Sequence, residues 1–316
     1  MRSVEQMWRS VSVSRSAQRS QAIYHADPTV LAIVEELTAS LRLAGIADPR
    51  RVATDIIAAL LDVSRTWPVM NRDASVSAQT AGRARESAHK IGKGAPFAYA
   101  VGTASFRHLN LAVDERVLVP RPETELLVGE ILESMKTLFG SADSWGTAVD
   151  IGTGSGAIAL SLAAEGLFER VIATDASLDA LEVAESNYAR SAERLRAHVE
   201  FRHGSLLSPL KGVKAAAIVS NPPYIAFSEI DSLPSSVRDW EPPLALFSGH
   251  DGMRATAGIV RDAWRNLVSG GLLALEVDER RASTVAELIM RHGGYTDVGV
   301  RLDLTGRERF VFASRL

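Results

Sequence analysis

From Thr147 to the end of the chain, short apolar runs alternate with segments of helical periodicity. The apolar runs have the length of buried strands, and strands that alternate with helices are typical of a parallel sheet covered on both faces. We expect the last two strands to pair antiparallel at one edge. The sequence therefore predicts an α/β protein with a doubly wound, seven-stranded sheet. The predicted strands lie near residues 148–151, 171–174, 199–202, 215–220, 272–277, 297–302 and 309–313.

The chain before this pattern is predicted to be mostly helical. Asp27-Pro28 is a favourable helix start, because Asp can cap the amino end and Pro fits the first turn. A second helix is predicted to begin near Pro49, and a third to cover residues 75–89. Gly92 and Gly94 mark the end of this helical part.

A hairpin is predicted between the helical part and the sheet. Phe97, Tyr99 and Val101 alternate with other residues, as in a first strand, and a second apolar run follows before residue 119. The predicted division of the chain is a disordered tail at 1–26, a helical domain at 27–92, a hairpin linker at 93–119 and the α/β domain at 120–316.

A glycine-rich turn follows the first predicted strand of the sheet. Its sequence is Asp150-Ile151-Gly152-Thr153-Gly154-Ser155-Gly156, and a helical segment follows. Glycines allow positive φ and close approach of a ligand. A dinucleotide fingerprint reads G-x-G-x-x-G, whereas the third glycine here comes one residue early, which favours S-adenosylmethionine over NAD. Asp175 ends the next strand, where an acid can accept both ribose hydroxyls. The alternative is a plain glycine turn with a solvated aspartate.

The tetrapeptide Asn221-Pro222-Pro223-Tyr224 follows another buried apolar run. Two prolines cannot continue a central strand, so the chain must leave the sheet there, at the edge where open α/β sheets bind ligands. The Asn221 side-chain oxygen and the Pro222 carbonyl can together accept the hydrogens of an NH2 group, and Tyr224 can pack on a flat one. The alternative is a proline-rich surface turn.

Composition excludes several classes of protein. The chain has 316 residues, no cysteine and few histidines, so neither a disulfide framework nor a metal site is expected. A net charge of −3 argues against binding to nucleic acid through bulk attraction to phosphate. No apolar run could span a bilayer, and the first 25 residues lack the apolar core of a secretory signal. We therefore expect a cytoplasmic enzyme that acts as a monomer.

Taken together, these motifs resemble the HemK/PrmC family, from about residue 92 to the end. The match includes Val117 to Glu125 with its Pro-Arg-Pro-Glu-Thr-Glu sequence, the glycine turn, Asn221 to Ile225, Glu241 to Gly252 and Asp303 to Arg309. The tetrapeptide alone is shared with DNA adenine methyltransferases, but its combination with Pro-Arg-Pro-Glu-Thr-Glu is specific.

The resemblance implies a methyltransferase with a Rossmann-like sheet. It implies methyl transfer from S-adenosylmethionine to the side-chain nitrogen (N5) of a glutamine in the Gly-Gly-Gln loop of peptide chain release factors, with the helical domain recognising that substrate. Asn221, Pro222, Pro223 and Tyr224 would hold the glutamine, Asn221 would also border the cofactor, and Arg121, Glu123 and Thr124 would lie near the cofactor or order a lid. The residues implied to hold the cofactor are Asp150, Gly152, Thr153, Gly154, Ser155, Gly156, Asp175, Ser205 and Leu206.

The chain departs from the family pattern at two places. Ser205 stands where the family usually has an acidic residue near the adenine, and Glu276-Val277-Asp278 stands where the family often has Glu-Ile-Gly. Three alternatives stay open: a glutamine methyltransferase of a ribosomal protein, an adenine-N6 DNA methyltransferase, and a non-catalytic binding protein on the same fold. The missing basic target-recognition region disfavours the second, and the intact tetrapeptide disfavours the third.

Overall fold

The computed structural model describes residues 27–140 and 142–316, so the predicted tail lies outside the described residues. The strands are β1 (Thr103–Phe106), β2 (Leu109–Ala112), β3 (Thr147–Ile151), β4 (Arg170–Asp175), β5 (His198–His203), β6 (Ala215–Ser220), β7 (Leu267–Glu276), β8 (Tyr295–Leu302) and β9 (Glu308–Arg315). The helices are α1 (Val30–Leu43), α2 (Pro49–Leu61), α3 (Trp67–Met70), α4 (Ala78–Gly92), α5 (Phe97–Val101), α6 (Pro122–Phe139), α7 (Ala157–Glu165), α8 (Leu178–Ser191), α9 (Ser235–Arg238), α10 (Pro243–Leu246), α11 (Arg254–Ala263) and α12 (Ala282–His292).

Seven strands form one sheet in the order β5-β4-β3-β6-β7-β9-β8. β3 to β7 pair in parallel, and β9 pairs antiparallel with both β7 and β8. The predicted doubly wound sheet with an antiparallel edge pair is therefore confirmed. The strand order reverses between β3 and β6, which are neighbours in register, with Ile151 opposite Ser220.

Both faces of the sheet are covered by apolar layers. In β6, Ala217 and Val219 pack into the layer that includes α6 and α7, whereas Ile218 packs into the layer that includes α11 and α12. Successive side chains on a strand point to opposite faces, so a strand covered on both sides must be apolar throughout. This explains why β6 has the continuous apolar sequence that predicted a buried strand.

The helical part has its own apolar core, built mainly from α1, α2 and α4. The predicted cap of the first helix is wrong by two residues. Thr29, rather than Asp27, caps α1 by accepting the Ala32 N–H, and Ser77 caps α4 by accepting the Thr80 N–H. None of the helices in the described part of the chain is both long and apolar enough to cross a membrane.

The predicted first strand of the hairpin is wrong. Residues Phe97–Val101 form the short helix α5, which ends where Gly102 adopts a φ of 81°. Three alternating apolar residues fit one helical turn as well as a short strand, and Ala100 and Val101 bury themselves against the core of the helical part. The hairpin consists instead of β1 and β2, with Phe106 opposite Leu109.

Candidate active site

A cavity of about 430 Å³ opens at the carboxyl ends of β3, β4 and β6. The turns after β3 and β6 lead to opposite sides of the sheet, which leaves a crevice between them. Several of the predicted site residues come together there although they belong to four separate turns. Those that line the cavity are Gly152, Gly154, Asp175, Ser205, Leu206, Asn221, Pro222 and Pro223.

The glycine turn after β3 forms one wall of the cavity. Gly152 and Gly154 have φ values of 73° and 54°, in the left-handed region that favours glycine. A Cβ added to either residue would meet nothing within 4 Å, so the space above the turn is open to a ligand. Gly156 differs, because a Cβ there would lie 3.1 Å from Leu160; this glycine serves the close packing of α7.

Asp150 lies beneath the glycine turn and is fully buried. Its Oδ2 atom accepts hydrogen bonds from the Thr153 hydroxyl at 2.7 Å and from the Ala159 N–H at 3.1 Å. Burial raises the pKa of the Asp150 carboxyl to about 7, against the opposing effect of these two bonds. Asp150 does not line the cavity, so its contacts hold the turn and the start of α7 in place.

Asp175 ends β4 and faces the cavity. Its two oxygens accept the backbone N–H groups of Gly154 and Ser177, both at 2.9 Å. Burial raises the pKa of Asp175, although these backbone bonds oppose the rise. The carboxylate is thus held in a fixed orientation, and each oxygen keeps a lone pair that can accept a ligand hydroxyl.

Asn221 is held by side chains from distant elements. Its Nδ2 atom donates to the Thr124 hydroxyl at 3.2 Å, and that hydroxyl donates to the Glu276 carboxylate at 2.7 Å. Thr124 lies in the first turn of α6, and Glu276 is the last residue of β7. Within residues 27–140 and 142–316, the Asn221 Oδ1 atom has no hydrogen-bond partner, and Asn221 lines the cavity. An acceptor oxygen is therefore available to a ligand.

Glu276 is almost completely buried, at 1% exposure. Burial raises the pKa of its carboxyl to about 7, while the hydrogen bond from Thr124 and the charge of Arg309 act in the opposite direction. Sequence reasoning did not propose Glu276 as a site residue, although Glu276 begins the segment that was compared with the family's Glu-Ile-Gly pattern. Its position at the same edge of the sheet as the other site residues was a second signal.

Arg121 connects the start of α6 to the segment that follows the tetrapeptide. Its Nη2 atom lies 2.6 Å from both carboxylate oxygens of Glu241, which is buried. Burial raises the pKa of Glu241, and the charge of Arg121 opposes this. The negative charge of Glu123 contributes to the raised pKa of Glu276. The Pro-Arg-Pro-Glu-Thr-Glu sequence thus contributes to the site through contacts with Glu241 and Glu276, without lining the cavity itself.

Several predicted site residues lie outside the cavity wall. Tyr224 is among them, and burial raises the pKa of its phenol to about 12, so the ring stays neutral. The other predicted residues off the wall are Asp150, Thr153, Ser155, Gly156, Arg121, Glu123 and Thr124. Conversely, sequence reasoning assigned no role to several residues that do line it, chiefly Arg116, Val117, Leu118, Ala176, Phe227, Leu244, Ala245, Phe247 and Arg254. Some of them, including Val117 and Leu244, lie in segments that match the family sequence, but the match assigned them no role; the others lie outside the motifs.

Comparison with known proteins places the chain in a family. Residues 32–102 match the model of the PrmC N-terminal domain, and residues 124–233 match the methyltransferase small domain. A release factor glutamine methyltransferase of Rhodopirellula baltica is 36% identical over 90% of this chain and 95% of its own length. The chain belongs to the release factor glutamine methyltransferase family.

Other relatives carry the same name. The release factor glutamine methyltransferase of Deinococcus radiodurans is 36% identical over 90% of this chain and 97% of its own length. Among solved structures, the catalytic domain of hMettl16 in complex with the MAT2A 3'UTR hairpin 6 aligns with a TM-score of 0.50 at 15% identity, over 76% of this chain and 82% of that one. The latter similarity shows a shared fold alone.

Membership in the release factor glutamine methyltransferase family confirms the predicted enzyme class and its cofactor, S-adenosylmethionine. The cavity fits that cofactor. It combines the open space above Gly152 and Gly154 with the oriented carboxylate of Asp175, and it offers the apolar side chain of Leu206. Open backbone, a hydroxyl acceptor and an apolar surface are what an amino acid, a ribose and an adenine require.

Proposed function

We propose that the protein methylates the side-chain nitrogen of the glutamine in the Gly-Gly-Gln loop of peptide chain release factors. The observation that carries the proposal is the orientation of Asn221, whose Oδ1 atom lies at the cavity wall beside the glycine turn without a hydrogen-bond partner in the part of the chain that the structure describes. The curated relatives that cover nearly the full chain are named for methylation of release factor glutamine. Site geometry and family therefore agree on an amide as the methyl acceptor.

Three parts of the wall would hold the cofactor. The glycine turn would admit its methionine end, Asp175 would accept the ribose hydroxyls, and Ser205 and Leu206 would border the adenine. When bound, S-adenosylmethionine supplies an electrophilic methyl group on a sulfonium. Ser205 is neutral, so it would provide a weaker acceptor for the adenine amino group than the usual carboxylate.

Asn221 and Pro222 would act on the glutamine amide. The Asn221 Oδ1 atom and the Pro222 carbonyl would each accept one amide hydrogen, which fixes the nitrogen and favours the positive charge that develops there. An amide nitrogen is a poor nucleophile, so its orientation matters most, and holding two reactants in line can lower a barrier by several kcal/mol, on the order of 7–11 in well-aligned cases. As the new N–C bond forms, the methyl–sulfur bond would break to leave a neutral thioether, and the nitrogen would then release one proton to water.

We propose that the helical domain contacts the release factor away from the target glutamine. An amide grip recognises any glutamine, so selection needs a second contact. Leu43 and Met70 are 91% and 80% exposed in this part of the chain, and large apolar side chains in such positions are candidates for protein contacts. We also propose that the enzyme acts as a monomer in the cytoplasm, without direct contact with nucleic acid or membrane.

A double variant tests the contact by the helical domain. Leu43→Ser with Met70→Ser should slow methylation of intact release factor by about tenfold, the loss of roughly 1.4 kcal/mol of binding. Cofactor affinity and methylation of a short glutamine peptide should stay unchanged. Leu316→Ser, at an exposed leucine of the carboxyl terminus, is the matched control. An equal loss on protein and peptide would reject the recognition role.

The proposed activity is tested with labelled S-adenosylmethionine. The purified protein is incubated with release factors, with a mixture of ribosomal proteins and with duplex DNA, and the labelled residue is mapped by mass spectrometry. We expect the label on the glutamine of the Gly-Gly-Gln loop. Label on a ribosomal protein or on adenine would select one of the alternative functions, and binding of the cofactor without any transfer would indicate a non-catalytic protein.

A further inference from the structure

The hydrogen-bonded chain behind Asn221 has a fixed direction. Thr124 can donate only one hydrogen, and the Glu276 carboxylate, at 2.7 Å, takes it. The Thr124 oxygen then has only lone pairs left for Asn221, which lies 3.2 Å away. Asn221 must therefore direct its NH2 group towards Thr124, and its carbonyl oxygen is turned the other way.

This direction matters because an asparagine side chain can be flipped by rotation of its terminal amide. The two orientations have almost the same shape, but one presents an acceptor to the cavity and the other presents donors. An amide substrate that must be held by its own N–H groups is bound by the first orientation and repelled by the second. Neither Asn221 nor the neighbouring prolines can choose between them without an external partner.

Thr124 and Glu276 are well placed to make that choice. Both are buried, with exposures of 4% and 1%, so water does not compete for their hydrogen bonds. They come from α6, which precedes the tetrapeptide in the chain, and from β7, which follows it, and neither lines the cavity. They act on Asn221 rather than on a ligand.

We propose that Thr124 and Glu276 are positioning residues that hold the Asn221 side chain in its acceptor-out orientation, with the Glu276 carboxylate setting the direction of the hydrogen bonds. This inference rests on the proposed function, in which Asn221 accepts an amide hydrogen of the substrate. It adds that the specificity of the site for an amide donor depends on Thr124 and Glu276, which do not themselves contact the substrate.

The protonation of Glu276 should then control the site. A carboxylate only accepts, whereas a protonated carboxyl can also donate to Thr124 and so free the Thr124 hydroxyl to turn towards Asn221. Because burial raises the pKa of Glu276 to about 7, this change falls near neutral pH. The charges that face Glu276 are those of Arg309 on β9 and of Arg121 and Glu123 at the start of α6, and the Tyr224 phenol lies beside it.

Four variants test the positioning role. Thr124→Val keeps the shape of the side chain but removes the hydroxyl, and it should lower kcat on release factor by about tenfold, as expected for one lost orienting hydrogen bond. Thr124→Ser should recover activity to within about threefold of the wild type on the same reasoning. In an Asn221→Ala background, Thr124→Val should have little further effect, because residues that act as one unit are not additive. Thr137→Val, at an exposed threonine of the same helix, is the matched control.

The pH profile and the Asn221 resonance complete the test. Activity should fall as pH drops through about 7, and Glu276→Gln should remove this limb. The nitrogen-bound protons of the Asn221 side chain, assigned by their loss in Asn221→Ala, should shift across the same pH range in the wild type and not in Thr124→Val. This second readout needs no substrate. If the wild type methylates no release factor, the proposed function fails while the resonance still decides the positioning role.

Two results would overturn the inference. One is a tenfold loss from Thr124→Val that recurs in full in the Asn221→Ala background, since Thr124 would then act without Asn221. The other is a Thr124→Ser variant as impaired as Thr124→Val, which would mean that packing by the threonine methyl group, rather than its hydroxyl, supports the site.

Discussion

The turn after β3 is supported mostly from nearby in the sequence, whereas the turn after β6 is supported from far away. Side-chain hydrogen bonds of the glycine turn join residues 3, 9, 21 and 32 positions apart, and one from Ser220 to the Ile151 carbonyl spans 69. Those that hold Asn221 join residues 97 and 152 positions apart. The two turns lie on neighbouring strands and border the same cavity.

The contrast suggests a division of labour. The proposed cofactor end is built mainly from a contiguous strand, turn, helix and strand. The proposed substrate end also depends on α6 and β7, which are distant from it in the sequence. A methyltransferase can therefore keep one cofactor turn and change its acceptor by altering distant residues. If the two ends are separable, a variant at one end should change either cofactor affinity or turnover, and leave the other nearly unchanged.

Asn221→Ala should produce the largest effect. Removal of one oriented polar group from a transition-state site costs on the order of 10²-fold in kcat. Because the glycine turn and Asp175 are untouched, the Kd of S-adenosylmethionine, measured by calorimetry, should change far less. Asn110→Ala, on the exposed hairpin, is the control. Near-normal turnover of the folded variant would remove Asn221 from the proposed mechanism.

Asp175→Ala should affect the opposite end. Loss of a carboxylate that accepts two hydroxyl groups should weaken S-adenosylmethionine binding by at least about tenfold, since each charge-assisted bond contributes roughly 1.5–3 kcal/mol. Turnover at saturating cofactor should recover much of its wild-type value. Glu185→Ala, at an exposed acid on α8, provides a matched loss of charge. An unchanged Kd would show that Asp175 orders the turn without touching the ribose.

Both ends should contribute to a pH dependence of stability. Burial raises the folded-state pKa of Asp150 and of Glu276 to about 7, from ordinary values of 3.8 and 4.5. Between those values the folded state binds more protons than the unfolded state, so stability is highest below the ordinary values and falls as pH rises towards 7. Each group should lower the free energy of unfolding by up to about 1.4 kcal/mol per pH unit in that window.

Urea unfolding at pH 5, 6, 7 and 8 measures this slope. Asp150→Asn should reduce the pH dependence of the free energy of unfolding but leave the fall of activity at low pH unchanged. Glu276→Gln should reduce the pH dependence of stability and also abolish the fall of activity at low pH. If Asp150→Asn left the pH dependence of the free energy of unfolding unchanged, Asp150 would be ionised throughout the range and would not contribute to it.

Tyr224→Phe should have the smallest effect. The hydroxyl of Tyr224 has no hydrogen-bond partner among the described residues, and its pKa of about 12 keeps it neutral at working pH. If Tyr224 contributes only its ring, kcat/KM on release factor should stay within about threefold of the wild type, the effect of a weak polar contact. A loss comparable to that of Asn221→Ala would assign a direct role to the hydroxyl.

The distribution of contacts also explains what could be predicted from the sequence. The central strands β3, β4 and β6 follow from apolar runs, because strands covered on both faces require them. The edge strands β5 and β8 are more polar and partly exposed. The glycine turn and Asp175 were identifiable because their chemistry lies within a short stretch. Phe97–Val101 was assigned wrongly, since a five-residue apolar pattern does not distinguish a strand from a helical turn, and burial against the helical core decided it.

Glu276 shows where sequence reasoning ends. Nothing in the run that precedes it indicates that its carboxylate receives the Thr124 hydroxyl, because the two residues are 152 positions apart. The Pro-Arg-Pro-Glu-Thr-Glu sequence signalled that Arg121 and Thr124 matter, and their partners Glu241 and Glu276 appeared only in the fold. Pairings across this distance are set by the packing of whole elements.

The register of β3 and β6, with Ile151 opposite Ser220, has a mechanical consequence. In the proposed mechanism, the methyl donor and its acceptor would be bound at the ends of two neighbouring, hydrogen-bonded strands, whose spacing in a sheet is about 4.8 Å. The hydrogen-bonded ladder between these strands would then fix the distance between the two binding turns, and the surrounding loops would be left to select the substrate and exclude water.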